Sequence, residues 1–264
     1  MTGMLVAVCA LLGLAIGSFL NVVVWRVPRG ESVVRPPSAC PACGHEIRPR
    51  DNVPVVSWLL LRGRCRDCGA PISRRYPLVE LTTAVLFGLV AALVGLSWLL
   101  PVALYLTAVA VALALIDVDV HRLPDAIVLP SYPVVAALLA LASLDPGGTA
   151  DWPPLLRALL GGLAMGAAYL ALVLANPAGM GLGDVKLAGV LGMFLGWFGW
   201  GTWAVGLFLP FLLGGVLGLA LIALGRAGRK SAIPFGPWML LGAAVAPVVA
   251  PPLLDWYLGV TVGA

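Results

Sequence analysis

From Pro77 onward the chain is almost continuously apolar, and that property alone removes most of the folds open to a protein of this size. Runs of about twenty apolar residues are what the hydrocarbon core of a bilayer demands of a helix. Only structures that satisfy their backbone polar groups internally can sit there. Composition agrees, with 61% hydrophobic and 11% charged residues, against roughly 25% charged in a soluble domain. Helices are expected at about 78–95, 98–116, 126–143, 155–175, 185–198, 201–224 and 235–254. The run Gly3–Trp25 reads as a retained first helix rather than a signal peptide, since no basic stretch precedes it and no polar mature domain follows. The expected fold class is an all-α polytopic membrane protein of about eight transmembrane helices with a small zinc-binding cytoplasmic loop domain. Its parts are a first helix (1–25), the cysteine-bearing loop (26–76) and a transmembrane core (77–258). The segment 185–198 is short for a full span and is expected to be tilted or partly buried in the bundle.

Residues 26–76 are rich in Pro and Arg, too polar for the bilayer and too few for a sizeable core. A metal would supply what that core lacks. Cys40-Pro41-Ala42-Cys43 and Cys65-Arg66-Asp67-Cys68 are each followed directly by glycine, Gly44 or Gly69. A two-residue gap lets two thiolates meet one tetrahedral ion, and four sulfur ligands favour zinc. A disulfide pair or a redox CxxC is the alternative, and the reducing cytosol disfavours both. His45 could substitute as a ligand, yet four thiolates already complete the shell. Cys9, inside the first helix, reads as a packing residue.

Ten of the sixteen Lys and Arg lie between Arg26 and Arg75. This concentration fits a face beside anionic lipid headgroups better than a nucleic-acid surface. Putting the cysteine loop inside brings Arg122, Lys186 and the cluster Arg226, Arg229 and Lys230 to the same side by alternation. The opposite loops hold Asp145 and Asp151, with Arg157 the only cation. That is a positive-inside pattern, with both termini outside and two acidic loops, 116–125 and 176–184, at the cytoplasmic face.

Those loops carry the chemistry. Gly179-Met180-Gly181-Leu182-Gly183-Asp184-Val185-Lys186 sets an acid and a base at the mouth of an apolar helix, among glycines that let a partner approach closely. An ionisable group at membrane depth is a functional-site candidate by default. Asp184 can equally be read as the N-cap of a helix starting at Val185. A second carboxylate must come from 116–125. Asp117 ends an apolar helix and lies nearest the bilayer, so it is favoured over Asp119, a solvated residue or a substrate contact. Asp125, after Pro124, suits an N-cap. Lys186 either lowers the Asp184 pKa or extends to the headgroups. Asn21, in the last turns of the first helix, needs a hydrogen-bond partner in the bundle.

Two converging carboxylates cannot both ionise cheaply, so one keeps a proton while the other stays basic. Such a pair can activate water against a peptide carbonyl and protonate the leaving amine, with no metal at the peptide bond. A proton-coupled transporter is the competing class. Against it, the acids sit at one face rather than at the midplane, and no inverted repeat is evident.

At these residues the chain resembles the type IV prepilin peptidases of the GxGD aspartic protease group. Gly181-Leu182-Gly183-Asp184 matches the GxGD signature, and Asp117 through Pro124-Asp125 matches the loop whose first Asp is the other catalytic residue. The four cysteines, Gly17-Ser18-Phe19-Leu20-Asn21, Arg74-Arg75-Tyr76-Pro77-Leu78-Val79-Glu80 and Pro234-Phe235-Gly236-Pro237 resemble the family in the same order. The resemblance implies Asp117 and Asp184 as catalytic residues, Gly181, Gly183 and Lys186 as shaping their loop, and a location in the inner membrane of a bacterium. It implies cleavage of the basic leader of a prepilin or pseudopilin after glycine, at the cytoplasmic face, from a substrate helix sharing the bilayer. Methylation of the new amine by S-adenosylmethionine follows in bifunctional members, and the cysteine loop accompanies that activity. No donor-binding motif is evident, so cofactor residues are unassigned. Glu80 is a candidate for the new ammonium group, or for an ion pair with Arg26 or Arg75. Nothing in the sequence sets an oligomeric state.

Overall fold

The computed structural model describes residues 2–145, 148–177, 179–225, 228 and 234–261. It resolves into two compact units, residues 1–116 and 117–264. The basic cluster Arg226, Arg229 and Lys230 lies outside the described residues.

In the first unit α1 (Thr2–Arg26) packs along α3 (Arg75–Val94). Two glycines set how close they come. A Cβ at Gly13 would stand 2.7 Å from Ala84 Cα, and one at Gly17 2.7 Å from Glu80 Cα. With no driving force from water between lipid-embedded helices, small residues at the contact let the backbones gain dispersion and polar contacts. Asn21 Nδ2 finds the expected partner across that contact, donating to the Tyr76 carbonyl at 3.3 Å. Cys9 is buried with Phe87, Ala91 and Leu100, as a packing residue should be. Between α1 and α3 the polar loop carries one short helix, α2 (Val56–Leu60), which the sequence did not announce. Trp58 on α2 donates its indole N–H to the Ile72 carbonyl at 3.2 Å, pinning the helix to the loop's end. The unit closes with α4 (Leu100–Val120), whose last turns enter the second unit.

The second unit holds α5 (Asp125–Leu144), α6 (Pro153–Ala175), α7 (Leu182–Phe198), α8 (Trp200–Ala223) and α9 (Gly236–Thr261). At its centre is α7, which packs against all four others. Every residue from Leu187 to Met193 is buried. Glycines make the tightest of these contacts possible: a Cβ at Gly161 of α6 would meet the Gly192 carbonyl oxygen at 2.8 Å. The far end of α7 is held by Arg157, whose Nε donates to the Gly196 carbonyl at 2.7 Å while the guanidinium also reaches Trp197. A cation on the last carbonyls satisfies acceptors that the helix itself leaves open.

Among the described residues seven helices, α1, α3, α4, α5, α6, α8 and α9, are long and apolar enough to cross a membrane. With α7, at 17 residues the short one foreseen, they make the eight expected apolar helices. The chain is an all-helical multi-pass membrane protein. Among the described residues the only strand-like pairing is two isolated bridges, Ala39 with Glu46 and Arg64 with Pro71. The last helix runs to Thr261, beyond the expected 254, and continues through Pro247, Pro251 and Pro252.

Candidate active site

Asp117 and Asp184 both belong to the second unit, with Asp184 within electrostatic reach of Asp117. Asp117 lies on the last turns of α4, only 6% exposed. The helix ends just beyond it because His121 adopts a left-handed conformation, φ 53°, while its N–H closes onto the Asp117 carbonyl at 2.9 Å. The carboxylate Oδ2 accepts from the Gly236 N–H at 3.0 Å. That N–H belongs to the first residue of α9, where backbone donors lack partners in their own helix and aim their dipoles outward. A side chain there would be ruinous, since a Cβ on Gly236 would stand 2.8 Å from Asp117 Oδ2. The sequence marked Gly236 only as part of a motif; the donor role had no signal of its own.

Asp184 is half-buried in the first turn of α7. It is not the N-cap of a helix beginning at Val185. The helix starts at Leu182, with Gly181 as N-cap and Asp184 at the third helical position. From there its Oδ2 accepts from the Gly181 N–H at 3.1 Å, as the acid of a capping box does. Glycine has no side chain to return that bond, and its carbonyl accepts from the Asp184 N–H instead. Gly183 faces Leu123, whose Cβ would lie 3.2 Å from a Cβ at that position.

Asp125 is likewise not an N-cap; Pro124 holds that place and Asp125 is the first helical residue of α5. Its two oxygens take the Lys186 ammonium at 2.8 Å each. Lys186 therefore pairs with Asp125, and its carbonyl accepts from the Tyr132 hydroxyl at 2.7 Å. Two bonds to α5 thus anchor α7 two residues beyond Asp184. Gly189 makes room for the second, because a Cβ there would fall 2.0 Å from that hydroxyl. Asp119 is exposed on the last turn of α4. On the apolar side, Tyr169, Phe211 and Phe235 form an aromatic cluster with centroids 5.1–6.5 Å apart. Phe235 immediately precedes Gly236, and Tyr169 lies within electrostatic reach of Asp184.

The first unit holds the four cysteines as two matching knuckles. In each, the N–H of the first cysteine donates to a carbonyl five residues on, Cys40 to His45 and Cys65 to Ala70. In each, a left-handed glycine, Gly44 or Gly69, folds back onto the first cysteine's carbonyl. All four sulfurs lie within 4.8 Å of one another. The Cys40–Cys68 separation of 3.8 Å matches the edge of a tetrahedron with bonds of about 2.3 Å, as zinc–thiolate bonds have. Four sulfurs at these distances fit zinc. Hydrogen bonds from the N–H of Cys43 and then Ala42 pull the Cys40 thiol down to about 7. At Cys43 and Cys68 the N–H groups of His45 and Ala70 are outweighed by burial and the neighbouring sulfurs, which hold the Cys43 thiol up and the Cys68 thiol up at about 12, so Cys40 is the readiest thiolate of the three. Ion pairs brace one knuckle on the other: Arg48 meets Asp67 at 2.8 Å, and Arg66 grips Asp51 with two nitrogens. His45, an exposed residue, takes part through its backbone, its carbonyl accepting from Cys40 and its N–H facing the Cys43 sulfur. Glu80, 7% exposed on α3, accepts from the Val55 N–H at 2.7 Å, which ties the loop to that helix.

Two family models match along the chain, the bacterial peptidase A24 N-terminal domain over residues 11–94 and the type IV leader peptidase family over residues 104–223. The first covers the cysteine knuckles and Glu80, the second both aspartates. The chain is similar to proteins named prepilin leader peptidase/N-methyltransferase. The one from Pseudomonas aeruginosa is 39% identical across 89% of this chain and 87% of its own. That from Aeromonas hydrophila is 39% identical, covering 94% and 92%. That from Neisseria gonorrhoeae is 38% identical, covering 88% and 86%. No solved structure matches the chain significantly. With both models falling in order along it and relatives near 39% identity aligned almost end to end, the chain belongs to the type IV leader peptidase family.

Proposed function

We propose that this protein is a membrane-embedded aspartic endopeptidase that removes the leader of a prepilin or pseudopilin and then N-methylates the new terminus. The observation that supports the first half is that Asp117 and Asp184, contributed by different helices, are each held by a backbone N–H and lie within electrostatic reach. One carboxyl keeps its proton while the other takes a proton from water, which attacks the scissile carbonyl. The protonated partner then supplies the leaving amine. Water activation comes from the carboxylates themselves, so cleavage calls on no metal. Gly181, Gly183 and Lys186 shape the loop that presents Asp184. Asp119 serves as a contact for the basic leader.

The relatives' shared name carries the second half. The knuckles hold a structural zinc through Cys40, Cys43, Cys65 and Cys68, ordering the loop beside which methyl transfer occurs. Glu80, already bonded to Val55, steadies that loop and offers its negative charge to the new ammonium group. S-adenosylmethionine is the donor this reading calls for. A cleft of about 410 Å3 beside α1, lined by Ser18, Phe19, Arg26, Ser38 and Asn52, has no acidic side chain in its lining. It suits an anion better than a sulfonium cation, so the donor is not assigned to it. The enzyme sits in the inner membrane of a bacterium, with the cysteine loop and both aspartates at the cytoplasmic face.

The test is cleavage of a prepilin in membranes by the parent, Asp117→Asn, Asp184→Asn and Asp119→Asn. Loss of roughly 10²–10⁴-fold in the first two, with the third active, is the expected result. Undiminished cleavage by either of the first two overturns the dyad. The mass of the mature product reads the methyl group directly, and an unmodified terminus reduces the protein to a peptidase alone.

A further inference from the structure

Neither family model nor sequence motif gives Leu123 a task. It lies in the connection 121–124, swung across by the left-handed turn at His121. Its side chain stands where two glycines leave room. At one end its Cβ would be 3.2 Å, and its Cδ1 3.7 Å, from a Cβ on Gly183, the residue before Asp184. At the other its Cδ2 would be 3.1 Å from a Cβ on Gly236, whose N–H holds Asp117. One half-buried leucine therefore packs against the residue before Asp184 at one end and against the backbone donor of Asp117 at the other. Nothing larger than hydrogen fits on either glycine without moving it.

We infer that Leu123 is the spacer that sets the separation of Asp117 and Asp184. It is a positioning residue, acting through Gly183 and Gly236 and not on the substrate. The inference rests on the reading of those aspartates as a working pair, although the geometry it describes can be measured without that reading. Carboxylates that share a proton are sensitive to distance, because their mutual repulsion decides whether one stays protonated. A spacer of fixed size between α7 and α9 keeps that repulsion at one value. Shortening it lets the two supports close on each other. An unbranched side chain of equal bulk keeps them apart.

The experiment has two arms on the full-length protein in membranes. In the first, Asp117→Cys and Asp184→Cys are combined, and the disulfide between positions 117 and 184 is timed by peptide mapping under mild oxidation. Disulfide formation depends steeply on separation, so adding Leu123→Ala is expected to change its rate by at least about fivefold, and Leu123→Met by less than about twofold. In the second arm, with both aspartates present, Leu123→Ala is expected to lower kcat by roughly a hundredfold with KM little changed. The limbs of its pH–rate profile move relative to each other, and Leu123→Met restores parental behaviour. An unaltered disulfide rate in Leu123→Ala overturns the spacer, as does a fall in activity that follows lost protein abundance with the pH limbs unmoved. If the disulfide rate responds while Asp117→Asn and Asp184→Asn still cleave, the spacer stands and the protease reading falls.

Discussion

Lys186 and Asp125 form a two-pronged ion pair, one ammonium 2.8 Å from each carboxylate oxygen, and it ties the start of α5 to the first turn of α7. Both side chains are about half exposed, so the pair is worth at most about 1 kcal/mol to stability. Its effect is on position, since Asp184 sits two residues away. Lys186→Met and Asp125→Asn are each expected to reduce leader cleavage about tenfold, and the double variant no further, because either change breaks the same link. A double-mutant cycle on kcat/KM checks this. Additive losses would mean that the two residues act separately.

Gly236→Ala should be more damaging than its size suggests. The new methyl would stand 2.8 Å from Asp117 Oδ2, so the carboxylate must leave its N–H donor. A displacement near 1 Å at a reacting group costs about a hundredfold in rate. Single-turnover cleavage, alongside a thermal melt that changes little, separates a moved carboxylate from a misfolded helix.

Gly17→Ala tests the other unit. Its methyl would meet Glu80 Cα at 2.7 Å, a backbone atom that no side-chain rotation can clear. Pushing α1 from α3 is expected to cost about 1–3 kcal/mol, the usual penalty of overpacking. The unfolding midpoint in detergent falls accordingly, whereas Gly3→Ala, which has open space around it, leaves the midpoint unchanged.

Zinc uptake should depend on pH in a definite direction. The Cys40 thiol is pulled down to about 7 by the N–H groups of Cys43 and Ala42, so its thiolate is present above that value and protonated below it. As pH falls from 8 to 6, protons compete with metal, and affinity drops by roughly tenfold per pH unit for each proton displaced. Competition against a chromophoric chelator measures it. Cys40→Ser should lose the metal while Asp117 and Asp184 keep their contacts, so cleavage that vanishes from a folded Cys40→Ser protein would show that the loop helps bind substrate.

What the sequence disclosed about the site followed the range of the interactions. The zinc knuckles were legible because two ligands and a glycine fall within five residues, and local spacing alone brings sulfurs together. The aspartates were legible because charge is rare in an apolar chain. Their supports were not. Leu123 fits between Gly183 and Gly236, residues far along the chain, and no pattern in a leucine reveals a distant glycine. The start of α7 was misread at Val185 because Asp is a good N-cap, while the glycine at 181 took that role and left the acid one turn in. Lys186 lies nearer to Asp184 in sequence than to Asp125, yet a helix turns consecutive residues away from each other, and the partner was on α5.

Four thiolates around a bound metal would also alter what the arginines around them mean. Between residues 26 and 75 there are ten arginines and four acidic side chains, a surplus that reads as attraction to an anionic membrane surface. A zinc ion with four thiolates, however, carries two negative charges net. With zinc bound, part of the loop's positive charge would have its counter-charge inside the loop, and the filled domain would present a weaker field to lipid than its arginine count implies. Drawing out the metal and reprotonating the sulfurs would leave that charge facing the bilayer, at about 1 kcal/mol of attraction per unopposed cation near the surface. Metal binding at this cluster would therefore weaken the loop's attraction to an anionic surface.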